Sequence, residues 1–191
     1  MILIDIDTQI DFMLPAGALY VPGAEHLIPT LARIFEQARE RGVPVISSVD
    51  AHSENDPEFA VWPAHCVAGT LGQQKVPATL CKHRAVVPNR PGVDLPDGVE
   101  QIIVEKQKLD IFSNPTFERL LDRSTDREYA VVGVATDYCV RCAVEGLLAK
   151  GRKVRVITDA IRAIDENAGQ KLLSEWAERG ATVTTSDAMW T

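Results

Sequence analysis

The chain has 191 residues, 46% of them hydrophobic and 25% charged, and its net charge is −7. These values are typical of a soluble globular protein and suit one domain over residues 1–191 with a full hydrophobic core. The negative charge and the lack of a basic stripe argue against a nucleic-acid-binding surface, and no apolar run reaches the roughly 18 residues that would span a membrane. We expect a cytoplasmic protein, because four cysteines without a secretion signal are typical of free thiols in a reducing compartment.

Strand-like and helix-like segments alternate along the chain. Continuous apolar runs predict strands at 1–6, 43–49, 101–105, 129–134, 154–158 and 181–184. Apolar residues at a helical period, together with capping and stop signals, predict helices at 24–41, 113–122, 138–150 and 165–179. Repeated strand–helix units of this kind predict an α/β fold, a three-layer Rossmann-like arrangement in which helices cover both faces of a parallel sheet.

One segment, 50–100, breaks this rhythm. It is rich in proline, histidine and aspartate, and a long irregular insertion in a compact domain is usually functional. Ligands of open α/β sheets bind at the carboxyl ends of the strands. Asp7, Asp50 and Cys139 all lie at or just after such ends, which predicts a shared site there.

Cys139 is the strongest candidate for a nucleophile. It follows the apolar strand 129–134, and Asp137 is a plausible N-cap for the helix that begins at Tyr138. A thiol in the first turn of a helix lies near free N–H groups and partial positive charge. Both favour the thiolate, and the same N–H groups can stabilise an oxyanion.

Two charged residues follow other predicted strands. Asp7 could accept the proton of a nearby thiol, although a capping or loop-bonding aspartate is the alternative interpretation. Lys106 would lower the pKa of a neighbouring thiol by Coulomb attraction, the alternative being a solvated surface lysine. Asp5 lies deeper on the same side of the strand as Asp7, and we interpret it as structural.

Asp50, His52 and His65 supply one carboxylate and two imidazoles, a set that suits one divalent transition metal such as Zn, Fe or Mn with open coordination positions. Hydrogen bonding within the loops is the alternative role. Glu58 is a candidate fourth ligand, or would bind through water or lie just outside the ligands. Cys66 could be a soft ligand, but its side chain should point away from the metal if that of His65 points towards it. The remaining histidines, at positions 26 and 83, have no partner pattern and are interpreted as surface residues.

Cys139 and Cys142 also form a C-x-x-C pair, which at a helix start could be a thioredoxin-like redox pair. Arg141 stands where such motifs usually have proline, and redox chemistry would leave the Asp and His cluster unexplained. We therefore favour Cys142 as a core-facing helix residue.

Several motifs stand in a specific order along the whole chain. They are Asp7-Thr8-Gln9 with Asp11-Phe12, the segment 17–23, Asp50-Ala51-His52, the segment 62–67, Lys106, and the segment 133–140 around Cys139. Together they resemble those of the isochorismatase-like cysteine hydrolases, and within that family those of the metal-containing nicotinamidases. The stretch 110–115 departs from the aromatic stretch that nicotinamidases commonly carry after the lysine.

The resemblance implies a six-stranded parallel sheet and assigns roles to particular residues. It implies a catalytic triad of Asp7, Lys106 and Cys139 and the metal ligands Asp50, His52 and His65. It further implies a non-proline cis peptide between Val134 and Ala135, which directs the N–H of Ala135, with that of Cys139, at the substrate oxygen.

The resulting hypothesis is a metal-dependent cysteine amidohydrolase acting on a small-molecule amide, with nicotinamide as the leading substrate and a thioester on Cys139. Phe12, Trp62 and Tyr138 would wall the ring, ordinary core packing being the alternative for Phe12 and Trp62. Other candidate functions are a different amidase or ureide hydrolase, an isochorismatase-type hydrolase, and a catalytically silent binding module. Family habit suggests a homo-oligomer.

Overall fold

The computed structural model of the chain describes residues 1–124 and 128–191, through which a parallel sheet of seven strands runs. The strands are β1 (Ile2–Ile6), β2 (Val45–Asp50), β3 (Arg84–Val87), β4 (Gln101–Lys106), β5 (Glu128–Val134), β6 (Lys153–Arg162) and β7 (Thr182–Thr184). Their order across the sheet is β3-β4-β2-β1-β5-β6-β7. Strand β1 therefore lies between β2 and β5. Strands β2 to β4 lie on one side of it and strands β5 to β7 on the other.

Helices cover both faces of this sheet, as predicted. The α-helices are α1 (Ile10–Met13), α2 (Ile28–Glu40), α3 (Pro115–Arg123), α4 (Arg141–Ala149) and α5 (Glu166–Glu178). Side chains alternate along a strand, so Ile2, Ile4 and Ile6 pack with α3, α4 and α5 on one face, whereas Leu3 packs with α2 on the other. Asp5 and Asp7 share the alternation of Leu3.

The prediction of six strands is wrong by one, because the segment 50–100 contains the short strand β3. This strand pairs only with β4 at the edge of the sheet, and Arg84 and Val86 are exposed. An edge strand with one buried residue at its end lacks the continuous apolar run by which the other strands are recognised. The rest of the segment is loops and short 3₁₀ turns.

Several predicted boundaries also differ. Strand β6 continues past Thr158 to Arg162. The polar residue Asp159 does not end the strand, and its carboxylate accepts a hydrogen bond from the backbone N–H of Ser186. The predicted helix at 24–41 is a 3₁₀ turn, Ala24–Leu27, followed by α2.

The interpretation of Asp137 as an N-cap is wrong. A π-helical turn, Thr136–Val140, precedes α4, and Ala135 occupies its N-cap position. The Asp137 carboxylate instead accepts hydrogen bonds from the backbone N–H groups of Ile164 and Asp165. It therefore ties this turn to the loop before α5.

Gly133 lets the end of β5 approach β1. Its φ is +112°, and a Cβ atom added there would lie 2.0 Å from the carbonyl oxygen of Ile6. Only glycine satisfies both conditions. The close approach brings the turn that carries Cys139 beside the end of β1.

Among residues 1–124 and 128–191, no helix is both long enough and apolar enough to cross a membrane.

Candidate active site

The three predicted catalytic side chains lie together at the carboxyl edge of the sheet. Asp7 directly follows β1, Lys106 is the last residue of β4, and Cys139 lies in the π-helical turn after β5. Asp7 and Lys106 are fully buried, and Cys139 is 6% exposed. The parallel strand order accounts for this convergence, because equivalent ends of parallel strands meet at one edge.

Lys106 connects the predicted triad to the predicted metal ligands. Its Nζ lies 2.8 Å from Asp7 Oδ2 and 3.6 Å from Cys139 Sγ, and it also donates a hydrogen bond to Asp50 Oδ1. The surface-lysine interpretation of Lys106 is therefore wrong. Asp7 receives a further hydrogen bond of 2.6 Å from the Ser48 hydroxyl.

The expectation that the helix start favours a thiolate at Cys139 does not hold. Burial raises the pKa of the Cys139 thiol well above its usual range, and the carboxylates of Asp7 and Asp50 raise it further, while Lys106 lowers it. Burial also raises the pKa of Asp7, opposed by Lys106. A thiol in this setting needs a neighbouring base, and Asp7 is the carboxylate in place to act as one.

The predicted metal ligands also converge. Asp50 ends β2, and the carboxylate oxygen Oδ2 of Asp50 lies 3.8 Å from Nε2 of His52 and 3.8 Å from Nε2 of His65. One ligand atom from each residue lies within 4.8 Å of the others, and all three residues are buried.

The charges of this cluster favour a cation. Burial raises the pKa of Asp50, but the Lys106 ammonium and the two imidazoles outweigh it and hold the pKa well below its usual range. Burial lowers the pKa of His52, yet the carboxylates of Asp50 and Asp56 raise it to about 8. Both shifts have the same cause, the attraction between carboxylates and the positive charges beside them.

The residues present fit a divalent transition metal. Nε2 of His52 is buried without a hydrogen-bond partner in the part of the chain that the structure describes, although such atoms are rarely left unpaired. Two imidazoles and one carboxylate are the ligand types that Zn, Fe or Mn accept with open positions.

The supporting roles of four residues were not predicted from the sequence. Nδ1 of His52 lies 3.0 Å from Asp56 Oδ2, the usual partner type for a ligating imidazole, and the Phe59 ring lies 5.4 Å from the His52 ring. The side-chain oxygen of Gln9 accepts from the Asp50 backbone N–H at 2.7 Å. The Asp11 carboxylate accepts from the backbone N–H of Cys66 at 2.7 Å and so holds the loop that carries the second histidine. The available signal was that Gln9 and Asp11 belong to the first motif.

A cavity opens over both clusters. Its lining combines two of the three candidate metal ligands, the thiol and a largely apolar wall: Phe12, Leu19, Val21, Asp50, Glu58, Trp62, His65, Leu109, Val134, Ala135, Tyr138, Cys139 and Ile164. The three predicted ring-contacting residues are all present. Trp62 and Tyr138 meet edge to face with ring centroids 5.4 Å apart, and Phe12 lies 5.4 Å from the His65 ring.

Glu58 lines the same cavity, and a carboxylate oxygen of Glu58 lies within 4.8 Å of possible ligand atoms of His52 and Asp56. Burial raises the pKa of Glu58. The side chain thus lies near the predicted metal ligand His52.

The peptide bond between Val134 and Ala135 is cis, as predicted, and Ala135 and Cys139 both line the cavity. Of the other singled-out residues, His26 and His83 are exposed. Cys66 is buried, and its thiol contacts the carbonyl oxygen of Gly72. All four cysteines are free thiols, with Cys142 half-buried on α4.

Known proteins resemble this chain over almost its whole length. The model of the isochorismatase domain matches residues 1–188. The chain belongs to the isochorismatase family. It is 31% identical to the nicotinamidase of Escherichia coli (strain K12), over 96% of this chain and 93% of that protein.

Solved structures of family members have the same fold. Pyrazinamidase of Pyrococcus horikoshii in complex with zinc is 28% identical, with a TM-score of 0.80 over 96% of this chain and 97% of that one. PnC1 from L. infantum in complex with nicotinate is 25% identical, with a TM-score of 0.81 over 98% of this chain and 93% of that one. The family resemblance seen in the motifs is confirmed, and so is the prediction of a hydrolase that acts on amide bonds.

Proposed function

We propose that this protein hydrolyses nicotinamide to nicotinate and ammonia through a thioester on Cys139, with one divalent transition metal bound beside the thiol. The observation that carries the proposal is the shared cavity. It is lined by Asp50 and His65 of the candidate metal site and by Cys139, with Ala135 beside it. Relatives named nicotinamidase, and a related pyrazinamidase in complex with zinc, support the choice of substrate class and metal.

Asp50, His52 and His65 would hold the metal. When bound, the metal would supply an open coordination position for the ring nitrogen of the substrate. The aromatic side chains of Phe12, Trp62 and Tyr138 would contact the ring itself, because they line the cavity beside the ligands.

The chemistry of the amide would fall to the chain's own residues. Asp7 takes the proton of the Cys139 thiol, and the thiolate attacks the carboxamide carbon. The backbone N–H groups of Ala135 and Cys139 stabilise the oxyanion. As the carbon–nitrogen bond breaks, Asp7 returns the proton to the departing ammonia and leaves a thioester. Asp7 then takes a proton from water, which hydrolyses the thioester and releases the acid and the free thiol.

Lys106 would keep this sequence electrostatically possible. It lies beside the Asp7 and Asp50 carboxylates and 3.6 Å from Cys139 Sγ. A fixed ammonium at this position favours the ionised form of each group in turn.

The charge of the cavity favours a neutral amide over the anionic substrates of other family activities. Within the part of the chain that the structure describes, no lysine or arginine lines the cavity, while Asp50 and Glu58 do. Ureido acids and isochorismate carry carboxylates, and apart from the proposed metal no cationic side chain of the described residues lines the cavity to pair with them, while Asp50 and Glu58 would repel them.

The test is ammonia release from nicotinamide by purified protein, before and after removal of metal by a chelator and again after metal is restored. We expect release that the chelator abolishes and zinc, iron or manganese restores. Full activity in chelator by metal-free protein would exclude metal dependence. Lack of release from nicotinamide, with release from a ureido acid, would instead identify a ureide hydrolase. Absence of turnover on every amide tested would indicate a silent binding module.

A further inference from the structure

The proposed base, Asp7, has an unusual backbone conformation. Its φ is +48°, in the left-handed region that residues other than glycine seldom adopt. Such a conformation persists only where neighbouring contacts hold it. The direction of the Asp7 carboxylate therefore depends on what holds the chain on either side of it.

A short segment from the insertion, Gln74–Lys75–Val76, braces the chain just after Asp7. The backbone N–H of Ile10 donates to the carbonyl of Gln74 at 2.8 Å, and that of Val76 donates to the carbonyl of Thr8 at 2.9 Å. These bonds form an isolated antiparallel bridge that centres on Gln9 and Lys75.

The side chain of Lys75 enters the protein instead of pointing to solvent, and the residue is only 4% exposed. Its Nζ donates to Asp5 Oδ2 and, at 2.7 Å, to the hydroxyl of Thr8. The Thr8 hydroxyl donates in turn to Asp5 Oδ1 at 2.9 Å. The Ser47 hydroxyl, on β2, also donates to Asp5 at 2.7 Å.

This closed set of hydrogen bonds joins the residues on both sides of Asp7. Asp5 lies two residues before it, Thr8 lies one residue after it, and Lys75 bonds to both. Burying an ammonium and a carboxylate costs desolvation free energy, which an apolar pair of similar volume would avoid. The charged pair, unlike an apolar one, can form the hydrogen bonds that hold the chain on both sides of this left-handed residue.

We propose that Lys75 is a positioning residue for Asp7. Through Asp5 and Thr8 it holds the backbone on both sides of Asp7, so that the Asp7 carboxylate stays directed at Lys106 and Cys139. The proposal rests on the proposed role of Asp7 in amide hydrolysis.

Three variants test it. Lys75→Met keeps the length of the side chain and removes its donors. Thr8→Val keeps the shape of the side chain and removes the hydroxyl through which Lys75 reaches the chain after Asp7. Lys171→Met removes a lysine from the exposed face of α5, where its side chain is 78% exposed, and is the matched control.

Each variant is measured in three ways, below its melting temperature and with its circular dichroism spectrum checked. The measurements are kcat and KM on nicotinamide, the pH profile of Cys139 alkylation by iodoacetamide followed by mass spectrometry of the Cys139 peptide, and thermal melting. For Lys75→Met and Thr8→Val we expect kcat to fall by 10-fold or more with KM within about twofold. We also expect the pH profile of Cys139 alkylation to shift, because the position of the Asp7 carboxylate affects the pKa of the thiol. The double variant should lose no more in kcat than the worse single variant, because both act through one set of hydrogen bonds.

Wild-type kcat and an unchanged alkylation profile in a folded Lys75→Met protein would overturn the proposal and leave Lys75 a purely stabilising residue. If Lys75→Met does not fold, the same comparison made with Thr8→Val decides. The alkylation profile needs no substrate. A wild-type protein inactive on nicotinamide, but with an alkylation profile that Lys75→Met still shifts, would therefore refute the proposed function and retain the positioning role.

Discussion

The ammonium of Lys106 lies 2.8 Å from Oδ2 of Asp7, and neither side chain is accessible to solvent beyond 1%. The same ammonium hydrogen-bonds to Asp50, a predicted metal ligand. One buried cation thus balances two carboxylates that serve different proposed tasks, proton transfer and metal binding. Because Asp7 and Asp50 share this ammonium, a substitution at one of them is expected to alter the electrostatic environment of the other.

Replacement of Cys139 by alanine is expected to abolish turnover while the fold remains intact, because the thiol forms the proposed covalent bond. Ammonia release and thermal melting measure the two effects. Cys142→Ala is the control, since Cys142 is half-buried on α4 and has no part in the proposed chemistry. If the two variants prove equally inactive, the redox-pair interpretation regains its place.

Replacement of Asp7 by asparagine is expected to lower kcat by about 10²–10⁴-fold, the usual contribution of general acid–base catalysis. Asparagine keeps the shape of the side chain and can still accept from Ser48. Steady-state kinetics with KM near the wild-type value would support a lost proton acceptor. A variant with nearly full kcat would show that another group takes the thiol proton.

Replacement of Lys106 by methionine is expected to move the pH profile of Cys139 alkylation to higher pH. Lys106 lowers the pKa of Cys139 in the folded protein, so its removal raises that pKa and leaves less thiolate at any given pH. Removing one partner of a buried ion pair also costs about 3–5 kcal/mol, so the melting temperature should fall. Lys171→Met, on the surface, should change neither quantity. An alkylation profile that does not move would refute the electrostatic role of Lys106.

Replacement of His52 by alanine is expected to remove the bound metal. Elemental analysis of the purified variant measures this directly, and His26→Ala, at an exposed histidine, is the control. If the metal holds the substrate ring, KM should rise while alkylation of Cys139 is little changed. A lower melting temperature with unchanged KM would instead indicate a structural metal, and a wild-type protein free of any metal would contradict the site altogether.

Replacement of Trp62 by alanine is expected to raise KM for nicotinamide more than it lowers kcat. The indole lines the cavity and packs edge to face on Tyr138, a contact worth about 0.5–1.5 kcal/mol. The neighbouring Val61 is 80% exposed and does not belong to the cavity lining described above, so Val61→Ala should leave both constants unchanged. Equal effects of the two substitutions would assign Trp62 to the packing of its loop alone.

Local pattern explains why the strands and the candidate chemistry could be predicted. The strand that precedes Cys139 is a continuous apolar run, and Asp7 and Lys106 mark the ends of two others. Parallel strands bring such ends to one edge, so their meeting follows from fold class alone. The family motifs then favoured catalytic roles for these residues over the structural or surface roles that each would allow by itself.

Long-range contacts explain what could not be predicted. The pairing of Lys75 with Asp5 spans 70 residues, and that of Cys66 with Asp11 spans 55. No local period records which segment of the insertion returns to which strand end. The residues next to Lys75 in the sequence therefore do not distinguish it from a solvent-exposed lysine.

The amino-acid sequence by itself determined the alternating strands and helices, the carboxyl-edge location of the site and the residue types available to it, because hydrophobic period and strand ends are local properties. The tertiary structure alone decided that β3 adds a seventh strand and that β1 lies between β2 and β5. It also decided that burial raises the pKa of Cys139 where the helix start predicts a lower one. The physical reason is that desolvation and charge pairing depend on every group packed around a side chain, and most of those groups are distant along the chain.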